Sequence, residues 1–87
     1  MTLRASWNVV AIGELHRRVG ANLRRLRKQR GVSQARFAEE ELEGLHRVYY
    51  GGIERGEQNL SLSAIEDYAS RLGIDPLELF RDPEGAE

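Results

Sequence analysis

The sequence contains no cysteine. That absence excludes a disulfide framework and thiolate-held zinc or iron–sulfur centres, and it fits a reducing compartment. Long apolar runs are missing as well. The longest, Val9-Val10-Ala11-Ile12, falls far short of the ~18–20 residues of a membrane span and is too short for the core of a signal peptide; a cytoplasmic protein is expected. No segment repeats, and almost nothing alternates as a strand does. Patterns that carry chemistry are absent too. His16 and His46 stand alone, without metal-ligand spacing around them. Ser33 has neither a nucleophile elbow nor a partner base, and there is no glycine-rich phosphate loop. Neither an enzyme, a metal site nor a cofactor is expected.

What remains is a chain of 87 residues, 40% hydrophobic and 31% charged, the composition of one small globular domain. A domain of this size removes only about 60–65% of its unfolded surface from water, so a second copy would add usefully to its stability. The formal net charge is −1, but the charge is sorted along the chain. Between His16 and Ala38 stand Arg17, Arg18, Arg24, Arg25, Arg27, Lys28, Arg30 and Arg36, with no acid among them. From Glu39 onward, thirteen acids accompany four arginines. An approaching polyanion feels the local field more than the sum. The asymmetry points either to a face made for an anionic partner or to a solvated basic helix.

Residues 1–14 form a leader in which Trp7, Val9, Val10 and Ile12 partly alternate, compatible with a short strand, an arm or an early helical turn. Helical periodicity sets in with Leu15, Val19, Leu23 and Leu26. Gly31 is placed to stop that helix in the left-handed conformation, behind a basic last turn. Ser33 caps a second helix that turns Phe37, Ala38 and Leu42 inward, and Gly44 breaks it. A third helix runs from about His46 to Arg55, with Tyr49 or Tyr50 and Ile53 inward, and ends at Gly56. Ser61 caps a fourth, whose inner stripe is Leu62, Ile65, Tyr68/Ala69 and Leu72, closed by Gly73. Asp75-Pro76-Leu77-Glu78 puts an N-cap, an N1 proline and an N3 glutamate in capping-box order, opening a short fifth helix with Leu77, Leu79 and Phe80. The domain is expected over residues 15–80 with a polar tail at 81–87. Its class is all-α, a compact five-helix domain.

Several motifs fall in one order: Ser33-Gln34, Phe37-Ala38, Gly44-Leu45-His46-Arg47, Ile53-Glu54-Arg55-Gly56, and the stripe from Leu62 to Leu72. In that order they resemble the Cro/CI-like (Xre-type) helix-turn-helix domain of phage repressors, a lambda-repressor-like fold, over about residues 19–80. The finer string from Leu45 to Asn59 is similar to the controller proteins of restriction–modification systems. The resemblance implies a homodimeric, sequence-specific regulator of transcription that autoregulates its own operon. Its two third helices would enter successive major grooves of double-stranded DNA, ~34 Å apart on a pseudo-palindromic operator. The resemblance further implies phosphate contacts from Ser33, Gln34, His46, Arg55 and Asn59, and a structural ion pair between Arg27 and Glu54. Dimer contacts would come from Ile74, Leu77, Leu79 and Phe80, with Trp7, Val9, Val10 and Ile12 able to add to them.

A helix enters the major groove only where it projects from the domain and carries few large outward side chains. With Tyr49 or Tyr50 and Ile53 inward, Arg47, Val48, Gly51 and Gly52 are the expected base-contacting positions. Arg47, in the first turn, can pair bidentately with guanine, and Val48 can rest on a thymine methyl. Gly51 and Gly52 each cost ~1 kcal/mol of helix propensity against alanine. Close approach to DNA and close packing of helices are both sufficient reasons for them.

The spacing departs from the family pattern in one place. Gly44 lies ten positions after Gln34, and Glu54 twenty; both intervals are two residues longer than the pattern. The extra pair falls within Glu39–Glu43. Two residues added inside a helix rotate every later side chain by ~200°, so a loop or bulge has to absorb them if Ile53 is to stay buried. Four glutamates in this stretch would also repel passing phosphates. These features keep open the alternative of a protein-interaction module that has lost DNA binding. A second alternative, an antitoxin-type DNA-binding protein of a toxin–antitoxin pair, would be favoured by a toxin gene beside its own.

Overall fold

A computed structural model describes residues 13–83; the leader residues Trp7, Val9, Val10 and Ile12 and the last residues of the tail lie outside them. Helix α1 spans Glu14–Arg30. The Gly13 N–H at its start donates to His16 Nδ1 at 3.2 Å, satisfying one of the amides a helix start leaves without an internal partner. Gly31, at φ 70°, closes it in the left-handed region. Val19, Asn22 and Leu23 are buried along its inner side. Asn22 is polar, but its amide is satisfied, donating to the Leu79 and Arg81 carbonyls at 3.0 Å each. These bonds tie the C-terminal segment onto α1.

Helix α2, Gln34–Arg36, is capped by Ser33, whose hydroxyl accepts the Arg36 N–H at 3.1 Å. It runs straight into a π-helical segment, Phe37–Glu41. The Leu42 N–H reaches back five residues to the Phe37 carbonyl at 3.2 Å, and the Gly44 N–H to the Glu39 carbonyl at 3.1 Å. The wider turn takes up the added length. In an α-helix, residues five apart end about 140° from one another around the axis, yet Phe37 and Leu42 are both buried in one core here. Glu43 (φ 58°) and Gly44 (φ 86°) then reverse the chain as a left-handed pair. For a glutamate that conformation costs on the order of 1 kcal/mol.

Helix α3, Arg47–Glu54, turns Tyr50 and Ile53 inward and leaves Tyr49 38% exposed, which settles the choice between the two tyrosines. Helix α4, Leu62–Leu72, is capped by the Ser61 hydroxyl and buries Ile65, Tyr68, Ala69 and Leu72. The fifth element is a 3₁₀ helix, Pro76–Phe80, capped by Asp75 through a 2.9 Å bond from the Leu77 N–H. The fold is therefore all-helical among the described residues, with four helices and a 3₁₀ turn where a fifth helix is expected.

Three apolar positions differ from the periodic reading. Leu15 and Leu62 lie on the inner stripes but are 54% and 72% exposed. Each sits in the first turn of its helix, where it borders a shallow apolar groove with Leu60, Ile65 and Phe80 instead of entering the core. Leu79, expected at a dimer contact, is fully buried in the core of the chain. The 3₁₀ turn directs it into the core, so no partner can touch it.

Backbone meets backbone where α1 crosses α3. A Cβ on Gly20 would lie 2.6 Å from the Glu54 carbonyl oxygen and against that of Ile53 as well. Alanine at position 20 gains ~1 kcal/mol of helix propensity, but the overpacking it forces costs about 1–3 kcal/mol or more. We predict net destabilisation of Gly20→Ala by about 2 kcal/mol in urea unfolding; unchanged stability would contradict this packing.

Candidate nucleic-acid interface

One carboxylate joins three segments. Arg27 reaches from α1 to the end of α3, its Nε donating to Glu54 Oε2 at 2.6 Å and its Nη2 to Oε1 at 3.1 Å. The remaining Nη1 donates to the Val32 carbonyl at 3.0 Å in the turn before α2. Gln34 Nε2, at the start of α2, donates to Glu54 Oε1 at 2.9 Å. The Arg27 and Glu54 side chains are only 13% and 3% exposed. Burial alone would raise the Glu54 pKa, but the hydrogen bonds from Arg27 and Gln34, together with the Arg27 charge, outweigh it and hold the carboxyl below its usual range. Tyr50 is shifted upward, by burial first and by the adjacent Glu54 charge second, and so stays protonated.

With its far end clamped, α3 presents its first turn to solvent. His46 is its N-cap, Nδ1 accepting the Val48 N–H at 3.1 Å. Arg47 is exposed and Val48 is 65% exposed. Together with Arg27, Ser33, Gln34, Ala35, Gly51 and Arg55 they line one concave surface. Arg27 is spent on Glu54 and the Val32 carbonyl, and Arg55 is paired through Nε with Glu57. Exposed Arg47, in no ion pair among the described residues, supplies the uncompensated charge that makes the concavity a seat for anionic groups.

The other expected contacts are placed differently. Gly51 and Gly52 are buried, not outward. A Cβ on Gly52 would lie 2.9 Å from Gln58 Nε2, so packing under the following loop explains that glycine; at Gly51 the neighbour is Arg55 Nη1, at 3.3 Å. Gln34 lines the concavity, yet its amide donor is engaged by Glu54, which makes it part of the clamp. Asn59 is exposed and does not line the concavity, its Oδ1 lying 3.3 Å from His16 Nε2 at the start of α1. Ala35 and Gln58 escape sequence reasoning because neither has a charge or motif that marks it.

Ion pairs sort the basic stretch. Arg17 and Arg18 both meet Glu14, Arg30 meets Glu41, and Arg36 meets Glu40. Arg24 and Lys28, on the outer side of α1, have no acid partner among the described residues. Arg25, beside them, donates to Asn22 Oδ1 at 3.3 Å. The acidic run is compensated in part: Glu40 and Glu41 by these arginines, and Glu43 by Arg71 of α4, while Glu39 is in no ion pair among the described residues. Its repulsion toward phosphates is correspondingly reduced.

A short exposed helix-turn-helix edge above a buried clamp is the arrangement of DNA-binding domains that read the major groove. The profile of the Helix-turn-helix family matches residues 23–79, and the chain belongs to that family. It is a DNA-binding transcriptional regulator, and its family is not one of enzymes. Among its relatives, the control protein C.MunI of Mycoplasma sp is 43% identical over 68 residues, covering 77% of this chain and 89% of that one. The control protein C.BamHI of Bacillus amyloliquefaciens is 36% identical over 63 residues, 69% of this chain and 73% of its own. In structure, the restriction-modification controller protein C.AhdI from Aeromonas hydrophila aligns with a TM-score of 0.62 and 46% identity, covering 75% of this chain and 91% of that one. No helix among the described residues is long and apolar enough to cross a membrane.

The clamp has a pH signature. Because the folded Glu54 pKa lies below the ordinary 4.5, its stabilisation is complete above that value and is lost as pH falls through the folded pKa. Glu54→Gln leaves the Arg27 charge buried without its counterion and is predicted to lose about 3 kcal/mol near neutrality. Its melting temperature should also fall less on acidification than that of the wild type. Thermal melts from about pH 7 to about pH 3 check both, and parallel curves of equal height would contradict the clamp.

Proposed function

We propose that the protein acts in the cytoplasm as a homodimer on a pseudo-palindromic operator ahead of its own operon, and that this operon belongs to a restriction–modification system. The observation that carries this is the exposed Arg47–Val48 turn at the free end of a helix whose other end is clamped. The 46% identity to a restriction-modification controller supports the biological setting. Arg47 reads a guanine through its bidentate fork, and Val48 packs on a thymine methyl. Ser33 and Arg55, on the rims of the same concavity, hold phosphates and set the register. Arg24, Arg25 and Lys28 add sequence-independent attraction, so affinity falls steeply with salt.

The dimer contact runs through the C-terminal segment. Leu77 is 69% exposed, and Ile74 and Phe80 are only partly buried against the core. Two protomers joined there set their Arg47 turns ~34 Å apart, one helical repeat of DNA.

A gel shift on the DNA upstream of the gene, with unrelated DNA as competitor, tests the proposal. The expected result is a salt-sensitive specific complex that fills in two steps; equal competition by unrelated DNA would sink it. Arg47→Ala is predicted to relax preference at one base position of each half-site by ~1–3 kcal/mol while the fold stays intact. Leu77→Asp should shift the sedimenting species to monomer without loss of helical circular dichroism; a persistent dimer would move the interface elsewhere.

A further inference from the structure

We infer that Gly51 is a positioning residue: carrying no side chain, it lets the Arg55 guanidinium lie over the middle of α3, where it grips a phosphate of duplex DNA. This rests on the DNA-binding proposal above and assigns a residue to it that is buried and has no contact chemistry of its own.

Gly51 lies inside a helix and is not needed for its backbone. The positive-φ glycines of the described residues are Gly31, Gly44, Gly56 and Gly73. Alanine would suit the position better by propensity, so the glycine calls for another reason. Its surroundings supply one. A Cβ there would meet Arg55 Nη1 at 3.3 Å and Gln34 Oε1 at 3.5 Å, both of them side-chain tips. Gly20 differs, since its neighbours are backbone carbonyls, and so does Gly52, which is covered by Gln58. The empty volume at Gly51 is thus reserved for polar tips on the concave face and not for helix packing.

Arg55 stands four residues after Gly51 and folds back along α3 over it. Its Nε is tied to Glu57 at 3.1 Å, while Nη1 lies beside Gly51 and the side chain lines the concavity shared with Arg27, Ser33 and Arg47. Gln34, whose Nε2 is committed to Glu54, offers its carbonyl oxygen at the same spot. A planar guanidinium held in place donates two parallel bonds to a phosphate, which a freely swinging one does less well. The Arg55 side chain is 58% exposed, so a methyl on Gly51 pushes the guanidinium tip aside by a few tenths of an ångström without disturbing the fold.

The test is a double-mutant cycle of Gly51→Ala and Arg55→Ala, read as affinity for the upstream duplex and for a scrambled duplex, with a thermal melt of each protein. Gly51→Ala is expected to melt a few degrees higher and yet bind both duplexes about five- to tenfold more weakly, of the order of one charge-assisted bond. In the Arg55→Ala background it should cause no further loss. Equal losses in both backgrounds would mean that DNA touches Gly51 directly, and an unchanged affinity would mean that Arg55 needs no seat; either overturns the inference. A loss confined to the upstream duplex overturns it too, since a phosphate grip ignores sequence. If the wild type shows no preference for the upstream duplex while the coupling persists on both, the operator proposal fails and this one stands. A wild type that binds neither duplex removes both.

Discussion

The buried Glu54 carboxylate is the constraint on which the rest of the molecule depends. Helix α3 has eight residues, far below the length at which an isolated helix is stable in water. Its direction must come from tertiary contacts. The apolar contacts of Tyr50 and Ile53 hold it to the core, but apolar contact is non-directional. The forked Arg27 contact and the Gln34 bond supply direction, because they are satisfied at only one rotation and tilt of α3. A buried pair of this kind contributes little net stability compared with an apolar replacement. Its return is geometry. Base discrimination requires donors placed to within fractions of an ångström, and the clamp holds the far end of the helix while the near end stays free.

The same need explains the π-helical segment. Two additional residues inside an ordinary α-helix would turn Leu42 away from the core and displace everything after it. Widening the helix over Phe37–Glu41 and reversing the chain at Glu43–Gly44 keeps Phe37, Ala38 and Leu42 in one core. The Phe37 and Tyr50 rings remain packed, their centroids 5.5 Å apart, and Gln34 still reaches Glu54. Glu40, Glu41 and Glu43 pair with arginines of α2, α1 and α4, which lessens the opposition of the acidic stretch to a polyanion at the binding edge.

Features set by a few adjacent residues are legible in the sequence. Ser33, Ser61 and Asp75 cap their helices and Gly31 and Gly73 end theirs, because capping is decided by local hydrogen bonds and φ preference. Arg27 and Glu54 are 27 residues apart and can be paired only through family resemblance. What stays hidden depends on neighbours from other elements. Periodicity gives the side of the helix that Leu15 and Leu62 occupy, but not that the core ends before reaching them. Leu77 and Leu79 are the same residue type in one short segment, and packing alone separates exposed Leu77 from buried Leu79. Gly51 and Gly52 look alike in the string, and only the packed structure distinguishes Gln58 over one from Arg55 over the other.

The central claim, that the exposed turn of α3 and the concavity beside it are the DNA surface, is tested most directly by titrating isotopically labelled protein with the upstream duplex and following backbone amide shifts. The account predicts changes concentrated at Ser33, Arg47, Val48, Gly51 and Arg55. Changes centred instead on the apolar groove of Leu15, Leu62 and Phe80, with the α3 turn silent, would contradict it.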